Sequence, residues 1–285
     1  MMLVHGFMLR ALIGGLLVAI VCSTYSFFVN VRRLAFAGEG IAHAAFGGVA
    51  IGILAGINTM LAAGAFCVLV ALGIGWFSRK GRIHEDTVIG ILFSASMALG
   101  VVLIAAAHAY NVDLMSYLFG SILALDWNDV IVLAVVSCLA VAFAGLFFKE
   151  LLFTVFDEET ATASGIPVRF AYYGLLVAIA LIIVVSIKLI GIILVSALLV
   201  IPGAAGMQIA KNYKGVMAIS VGCAICAVVL GLVISLKYDL ASGASIVLVL
   251  FGLFVVALAL SPRRPYMRAM INKWERKNKI AEFEV

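Results

Sequence analysis

The chain has 285 residues, of which 66% are hydrophobic and only 12% are charged, and its net charge is +5. An ordinary soluble domain is about 45–50% apolar and about 25% charged, so this composition excludes that class and indicates a polytopic membrane protein. The basic residues stand in short clusters between apolar runs, which is typical of cytoplasmic loops and argues against a nucleic-acid partner.

Apolar runs long enough to cross a bilayer recur along the chain, so we predict an all-α protein with eight or nine transmembrane helices. The first run contains Arg10 and lacks a small-residue cleavage site, and we interpret it as a retained span and not a signal peptide. The count stays open because the second run is short and the seventh follows the sixth with almost no loop, as tilted or re-entrant pieces do. The predicted spans are residues 7–29, 41–56, 59–77, 87–108, 129–148, 170–187, 189–209, 216–236 and 244–260.

The basic clusters also predict the orientation of these spans. All Lys and Arg residues except Arg10, Lys188 and Lys237 fall on one side of the membrane if the spans alternate. Because basic loops favour the cytoplasmic side, we predict an outside N-terminus and an inside C-terminus. The chain then divides into a transmembrane domain, residues 1–261, and a basic cytoplasmic tail, residues 262–285, expected to lie near anionic membrane lipid.

Two loop segments interrupt the pattern of spans. Residues 111–128 are too short and too polar at both ends for a clean span, so we predict a re-entrant or interfacial helix on the outer side. Residues 153–168 lie on the cytoplasmic side, where the acidic residues 157–159 precede a run of small residues. The acidic start and the stop at Gly165 and Pro167 predict a short loop helix.

The stretch from Arg32 to Gly56 carries an unexpected polar pair. Glu39 and His43 lie four residues apart, which places them on one face of a helix, about one to two turns inward from the arginines. Ionisable residues within a membrane are costly and therefore indicate function. A carboxylate and an imidazole can bind a divalent transition metal such as Mn²⁺ or Zn²⁺. The alternative is structural: a cap or salt bridge for Glu39 and a hydrogen bond within the bundle for His43.

Two ligands do not close a metal site, so other groups have to complete it. His108 and Asp113, at the outer end of the fourth span, and Asp239, in the last outer loop, are weaker candidates because such residues also contact water or a partner protein. A second copy of the Glu39 and His43 pair is the other way to complete the site. Lys188 would repel a cation, so we predict a structural or gating salt bridge for it.

Signatures of catalysis are absent from the sequence. It contains no G-x-x-x-x-G-K-[ST], G-x-S-x-G or H-E-x-x-H pattern. We therefore predict that the chain is not an enzyme, has no tightly bound cofactor, and depends on a separate ATPase if ATP drives it.

Five ordered segments carry a resemblance that spans nearly the whole chain. They are RRLAFAGEGIAHAAFGGVAIG at 32–52, VDLMSYLFGSIL at 112–123, FDEETATASGIPV at 156–168, IKLIGIILVSALLVIPGAAG at 187–206 and YDLASGASIVLV at 238–249. Together they resemble the membrane permeases of bacterial ABC importers for manganese, zinc and iron, the metal-chelate-uptake or ABC-3 type family. Glu39 stands where many members have aspartate, and His43 stands at the family's histidine.

The resemblance implies a permease homodimer in the bacterial plasma (inner) membrane, with two cytoplasmic ATPase subunits and an extracytoplasmic metal-binding protein. Glu39 and His43 would contact the transported metal ion. The loop helix would be a cytoplasmic coupling helix that docks on the ATPase. Its implied coupling residues are Asp157, Glu158, Glu159, Thr160, Ala161, Ser164 and Gly165.

The function that we predict is inward translocation of a divalent transition metal by alternating access, with Mn²⁺ first and Zn²⁺ or Fe²⁺ as the other candidates. Two alternatives stay open. A cobalamin- or siderophore-type ABC permease would have a large cavity without metal ligands. A gradient-driven secondary metal transporter would need no ATPase.

Overall fold

The structure is a computed structural model that describes residues 6–107 and 126–261. All regular secondary structure in these two ranges is helical, which confirms the predicted fold class. The helices are α1 (Gly6–Arg32), α2 (Ala35–Ala55), α3 (Thr59–Gly81), α4 (Glu85–Ala106), α5 (Trp127–Leu146), α6 (Phe148–Phe156), α7 (Glu158–Ala163), α8 (Val168–Ile209), α9 (Tyr213–Tyr238) and α10 (Ser242–Ala259).

Nine stretches of the described residues are long and apolar enough to cross a membrane, in agreement with the higher predicted count. Seven of them are single helices, and the other two are the halves of α8, here called α8a (Val168–Ile187) and α8b (Ile190–Ile209). Most of the predicted helix at 111–128 lies outside the described residues, as does the whole of the predicted tail at 262–285. Both therefore stay predictions. The short amphipathic helix α6 was not predicted.

The two halves of α8 run in opposite directions because the chain reverses at Gly191. Its φ of 79° and ψ of 164° lie outside the helical region and suit glycine, which has no Cβ. Arg32 lies 5.0 Å from the ring of Tyr172 in α8a, and Asn30 donates a hydrogen bond of 2.8 Å to the Val200 carbonyl in α8b. A straight helix would separate Tyr172 from Val200 by about 42 Å. Both halves therefore reach the same end of α1.

The helix that carries the Glu39 and His43 pair, α2, lies near the centre of the bundle. In the apolar 18-residue stretch of α2, 72% of the residues are buried, whereas the corresponding share is 22% in α4 and 28% in α9 and α10. Close approach to α3 explains part of this burial, because a methyl group added at Gly48 would lie 2.6 Å from Ala63 Cα. On the other side, a methyl group at Gly40 would lie 2.6 Å from Ile89 Cγ2 of α4. Glycine thus lets two helices pack tightly on α2.

The start of α2 differs from the prediction. We predicted a span from residue 41, whereas the helix begins at Ala35 and includes both Glu39 and His43. Hydropathy places a boundary after a charged residue, but the backbone of α2 is helical through Glu39, whose side chain is exposed. The pair nevertheless lies one to two turns from the helix start, as expected.

A polar contact joins α1 to α8b next to Pro202. Proline has no N–H and interrupts the hydrogen bonds of a helix. Asn30 donates to the Val200 carbonyl at 2.8 Å, and the Gly203 N–H donates to Ser26 Oγ at 2.8 Å. A methyl group at Gly203 would lie 2.6 Å from Ser26 Oγ. These bonds satisfy backbone groups that would otherwise be costly inside a membrane.

Candidate functional site

Glu39 and His43 lie on successive turns of α2, with Glu39 exposed and His43 half-buried. His43 Nδ1 lies 3.0 Å from the backbone carbonyl oxygen of Glu39. A carbonyl oxygen only accepts hydrogen bonds, so in the neutral imidazole Nδ1 carries the proton and Nε2 keeps its lone pair for a metal. The contact therefore sets the tautomer that a metal ligand needs.

The imidazole ring of His43 also packs against α4. Its centroid lies 5.0 Å from that of Phe93, and the two ring planes meet at 79°. This edge-to-face geometry is favourable for aromatic pairs. Together with the Nδ1 hydrogen bond it restricts the orientation of the imidazole.

The structural alternative for Glu39 is not observed. The N-cap of α2 is Leu34, so Glu39 does not cap the helix, and it takes no part in the ion pairs found among the described residues. The hydrogen bond expected for His43 is present, but it is compatible with metal binding. The carboxylate is therefore available to a cation.

A cavity of about 420 Å³, called the Glu39 cavity here, lies between α2, α8b and α10. Glu39, His43 and Ser196 are its polar lining residues, and apolar side chains such as Val200 and Val247 complete the wall. The Ser196 hydroxyl donates to the Ile192 carbonyl at 3.0 Å, which leaves its oxygen able to accept or to bind a cation.

A second cavity, of about 250 Å³, lies between α2 and α4. Glu39 lines this cavity as well, together with Asp86 and Phe93. Glu39 thus lies at the boundary of the two spaces, and Asp86 adds a second carboxylate toward the end of the bundle that carries the arginines.

The opposite end of α2 borders a larger cavity of about 700 Å³. Asn58, Met60 and Asp129 contribute polar or polarisable atoms to its lining. Asn58 caps α3 by accepting the Met60 N–H at 2.9 Å, and Asp129 lies in the first turn of α5. Under the predicted orientation this cavity is on the outer side.

The donor set of the Glu39 cavity is incomplete for a resident metal. Among the residues that the structure describes, no group of three or more His, Cys, Asp or Glu side chains is placed to hold one. One carboxylate and one imidazole nevertheless suit a divalent transition metal that is bound transiently.

Of the weaker candidates, the structure describes Asp239 alone. His108 and Asp113, like the side chain of Lys188, lie outside what the structure describes. Asp239 ends α9 in the left-handed conformation, with a φ of 54°, and its side chain is exposed. It lines neither of the cavities that Glu39 borders.

Two cavity residues, Asp86 and Ser196, were not singled out in the sequence. Asp86 stands beside charged loop residues and resembles an ordinary solvated aspartate, while serine is common in apolar helices. Only the packing of α4 on α2 and the reversal of α8 bring them next to Glu39. No local pattern distinguishes them.

The short helix α7 confirms the predicted loop helix. Asp157 is its N-cap, and its carboxylate accepts from the Thr160 N–H at 3.0 Å and from the Thr160 hydroxyl at 2.6 Å. The hydroxyl first, and then the N–H, lower the pKa of Asp157. Gly165 ends the turn with a φ of 77°, and Ala161 is the buried residue of the helix.

Comparison with known sequences identifies the family. The sequence model described as the ABC 3 transport family matches residues 4–261. The chain belongs to that family. Membership confirms the predicted resemblance and makes the protein a transport permease, not an enzyme. It also argues against the gradient-driven alternative.

Relatives and one solved structure match over most of the chain. The manganese transport system membrane protein MntC of Listeria innocua is 38% identical over 261 residues, 91% of this chain and 92% of that protein. The high-affinity zinc uptake system membrane protein ZnuB of Haemophilus influenzae is 29% identical over 248 residues, 87% of this chain and 95% of that protein. The structure of PsaBC from Streptococcus pneumoniae in complex with Fab superposes with a TM-score of 0.82 at 34% identity, covering 94% of this chain and 96% of that chain. This ABC 3 permease is therefore a multi-pass membrane protein with a known fold.

Proposed function

We propose that this permease moves a divalent transition-metal ion, Mn²⁺ first, into the cell, powered by a separate ATPase. The observation that carries the proposal is the Glu39 carboxylate, which borders two cavities inside a membrane helix and has no ion pair among the described residues. An unpaired charge there is costly unless it meets a cation. His43, one turn away with Nε2 available, supplies the second ligand.

The ligand types support the choice of metal. A carboxylate with one imidazole suits Mn²⁺ and Fe²⁺, and Zn²⁺ accepts the same donors. None of the described cysteines lines the Glu39 cavity, which argues against a thiolate site for Cu⁺. The manganese-named relative is more similar to this chain than the zinc-named one, which supports Mn²⁺.

A second copy of the permease would complete the ligand set. Most oligomers of identical chains have a two-fold axis, which places the same surface patch of both copies in contact. If α2 faces that axis, two carboxylates and two imidazoles meet around one ion. Release then requires only that the two copies separate, because each keeps an incomplete site.

The two ends of the bundle offer surfaces for the two remaining partners, the ATPase and the extracytoplasmic binding protein. At the end of the bundle that carries the arginines, Glu159 and Thr160 of α7 and its C-cap residue Ser164 are exposed, and this polar ridge suits docking on a cytoplasmic ATPase. At the other end, the cavity that Asp129 lines is where an extracytoplasmic binding protein would deliver the ion. We infer that the ion passes from this cavity to Glu39 and His43 and leaves past Asp86.

The test is ATP-dependent uptake of radioactive Mn²⁺, Zn²⁺ and Fe²⁺ into proteoliposomes that contain the permease, its ATPase and its binding protein. We expect Glu39→Gln and His43→Gln each to lower uptake at least about tenfold, the scale on which supporting residues of metal sites act. His84→Gln is the matched control, because His84 is exposed before α4 and lines neither cavity that Glu39 borders. Unchanged metal uptake in Glu39→Gln, or ATP-dependent uptake of a cobalamin or siderophore instead, would contradict the proposal.

A further inference from the structure

Five side chains from five helices meet at the arginine-rich end of the bundle. Two arginines, two glutamates and one tyrosine form this group, called the Glu158 cluster here. Its members are Arg32 of α1, Arg79 of α3, Glu85 of α4, Glu158 of α7 and Tyr172 of α8a.

Glu158 lies at the centre of the cluster and uses each carboxylate oxygen for a different helix. Its Oε2 accepts a hydrogen bond from Arg32 Nη2 at 2.6 Å, and its Oε1 lies 2.7 Å from Arg79 Nη2. The single carboxylate therefore ties α7 to both α1 and α3. Arg32 also donates to the Thr154 carbonyl of α6 at 3.2 Å, so the helix before α7 is held by the same guanidinium.

Tyr172 connects the two arginines to α4. The guanidinium carbons of Arg32 and Arg79 lie 5.0 and 4.4 Å from the centroid of its ring, which is cation–π geometry. The Tyr172 hydroxyl donates to Glu85 Oε1 at 2.8 Å, and Arg32 Nη2 lies 3.8 Å from the same oxygen. The ion pairs and ring contacts thus run without interruption from α7 to the first residue of α4.

The cluster contains two positive and two negative side chains, which are partly shielded from solvent. The exposed fractions of the side chains are 17% for Arg32, 28% for Arg79 and 33% for Glu158. Partial burial by itself would raise the pKa of Glu158, but the hydrogen bond and charge of Arg32 and the charge of Arg79 outweigh it and lower that pKa. Glu158 is therefore ionised at neutral pH and engaged within the protein.

From α4 the contact continues to the metal-ligand pair. Asp86, next to Glu85, lines a cavity together with Glu39. One turn further along, Ile89 packs against Gly40, where a methyl group would come within 2.6 Å of its side chain. A shift of the first turn of α4 would change both this contact and the shape of the cavity that Asp86 and Glu39 line, because Ile89 and Gly40 are already in close contact beside it.

The attachment of α7 rests largely on Glu158. The helix has six residues, and Ala161 is its buried residue, so apolar packing adds little. Ion pairs and hydrogen bonds are directional and switch between discrete partners, which suits a contact that must transmit movement.

We propose that the Glu158 cluster is the joint through which movement of α7 reaches α4 and hence the Glu39 cavity. Glu158, Arg32, Arg79 and Tyr172 act as positioning residues in this joint. The inference rests on the proposed function, since it supposes that α7 is moved by an ATPase.

The test measures metal uptake and ATP hydrolysis in the same proteoliposomes containing the complete complex, and reports ions moved per ATP. We expect Glu158→Gln to lower this ratio about fivefold or more, the lower end of ordinary coupling between sites. Glu158→Asp, which keeps the charge, should recover part of the ratio. Glu150→Gln is the matched control, because Glu150 on the neighbouring α6 takes no part in the ion pairs of the described residues.

Two outcomes would overturn the joint: an unchanged ratio in Glu158→Gln, or an equal fall in Glu150→Gln. If the Glu158→Gln complex does not assemble, Tyr172→Phe is the test variant, because it removes only the hydroxyl that reaches Glu85. A ratio of ions per ATP in Tyr172→Phe equal to that of the original protein then rejects the joint.

A parallel Glu39→Gln sample separates the two proposals. If uptake persists in Glu39→Gln while Glu158→Gln lowers the ratio, the metal site is wrong and the joint stands. If Glu39→Gln abolishes uptake while Glu158→Gln leaves the ratio unchanged, the metal site stands and the joint is wrong.

Discussion

The Glu158 cluster and the Glu39 cavity are neighbouring polar regions that differ in how their charges are paired. In the cluster, Glu158 and Glu85 both contact arginine, at 2.6 and 3.8 Å. In the cavity, the Glu39 carboxylate takes no part in the ion pairs of the described residues. Removal of one partner from a partly buried ion pair destabilises a protein, whereas an unpaired carboxylate in a membrane helix indicates a cation from outside. Removal of charge should therefore have opposite consequences in the two regions.

The largest effect is expected from Glu39→Leu. Metal uptake should fall at least about 100-fold, because even supporting residues of metal sites contribute about 10–100-fold. The thermal unfolding midpoint of the metal-free permease in detergent should stay unchanged or rise, because an apolar side chain replaces an unpaired carboxylate. A clear loss of thermal stability would show that Glu39 has a structural partner and would remove the contrast between the regions.

The close packing of α1 on α8b provides a reference value for how much stability a steric change removes from this protein. Gly203→Ala should lower stability by about 1–3 kcal/mol, the usual effect of overpacking, because the new methyl group would lie 2.6 Å from Ser26 Oγ and Asn30 Nδ2. Gly222→Ala is the control, since no atom lies within 4 Å of a methyl group there. Thermal unfolding of both variants checks the prediction, and equal midpoints would contradict it.

Removal of one arginine from the Glu158 cluster should lower the stability of the protein less than Gly203→Ala does. Arg32→Gln leaves Glu158 with Arg79 alone, and we expect a loss of about 1–2 kcal/mol, between the values for exposed ion pairs and for hydrogen bonds to charged groups. Arg33→Gln is the control, because Arg33 is exposed and takes no part in the ion pairs of the described residues. Indistinguishable midpoints for the two variants would mean that the cluster adds nothing to stability.

The smallest effect on stability is expected from protonation of Glu158 at low pH. The pKa of Glu158 is lowered in the folded protein from its ordinary value of 4.5. Its stabilising contribution is therefore complete above that value and is lost as the pH falls through the lower, folded pKa. The stability difference between the original protein and Glu158→Gln should be constant near neutral pH and should shrink as the pH falls below 4.5. A difference that stays constant over this range would show that the carboxylate charge is not what stabilises the cluster.

The sequence by itself determined the features that depend on neighbouring residues. An apolar run in a membrane can satisfy its backbone only as a helix, so the class of the fold followed from composition. The helix α7 followed from Asp157 and Gly165, because capping acts within one or two turns. The Glu39 and His43 pair followed from its four-residue spacing, which is also local.

Only the tertiary structure decided which of these features meet. Glu158 pairs with Arg32 across 126 residues of sequence, and Tyr172 reaches Glu85 across 87. Neither periodicity nor capping encodes such contacts, because they depend on which helices pack together. A reversal between the sixth and seventh spans was predicted, but its position at Gly191 was not, since a glycine among apolar residues is ordinary in a membrane helix until neighbouring helices set its backbone conformation. Asp86 and Ser196 reach the Glu39 cavity for the same reason: their positions result from packing and not from local sequence.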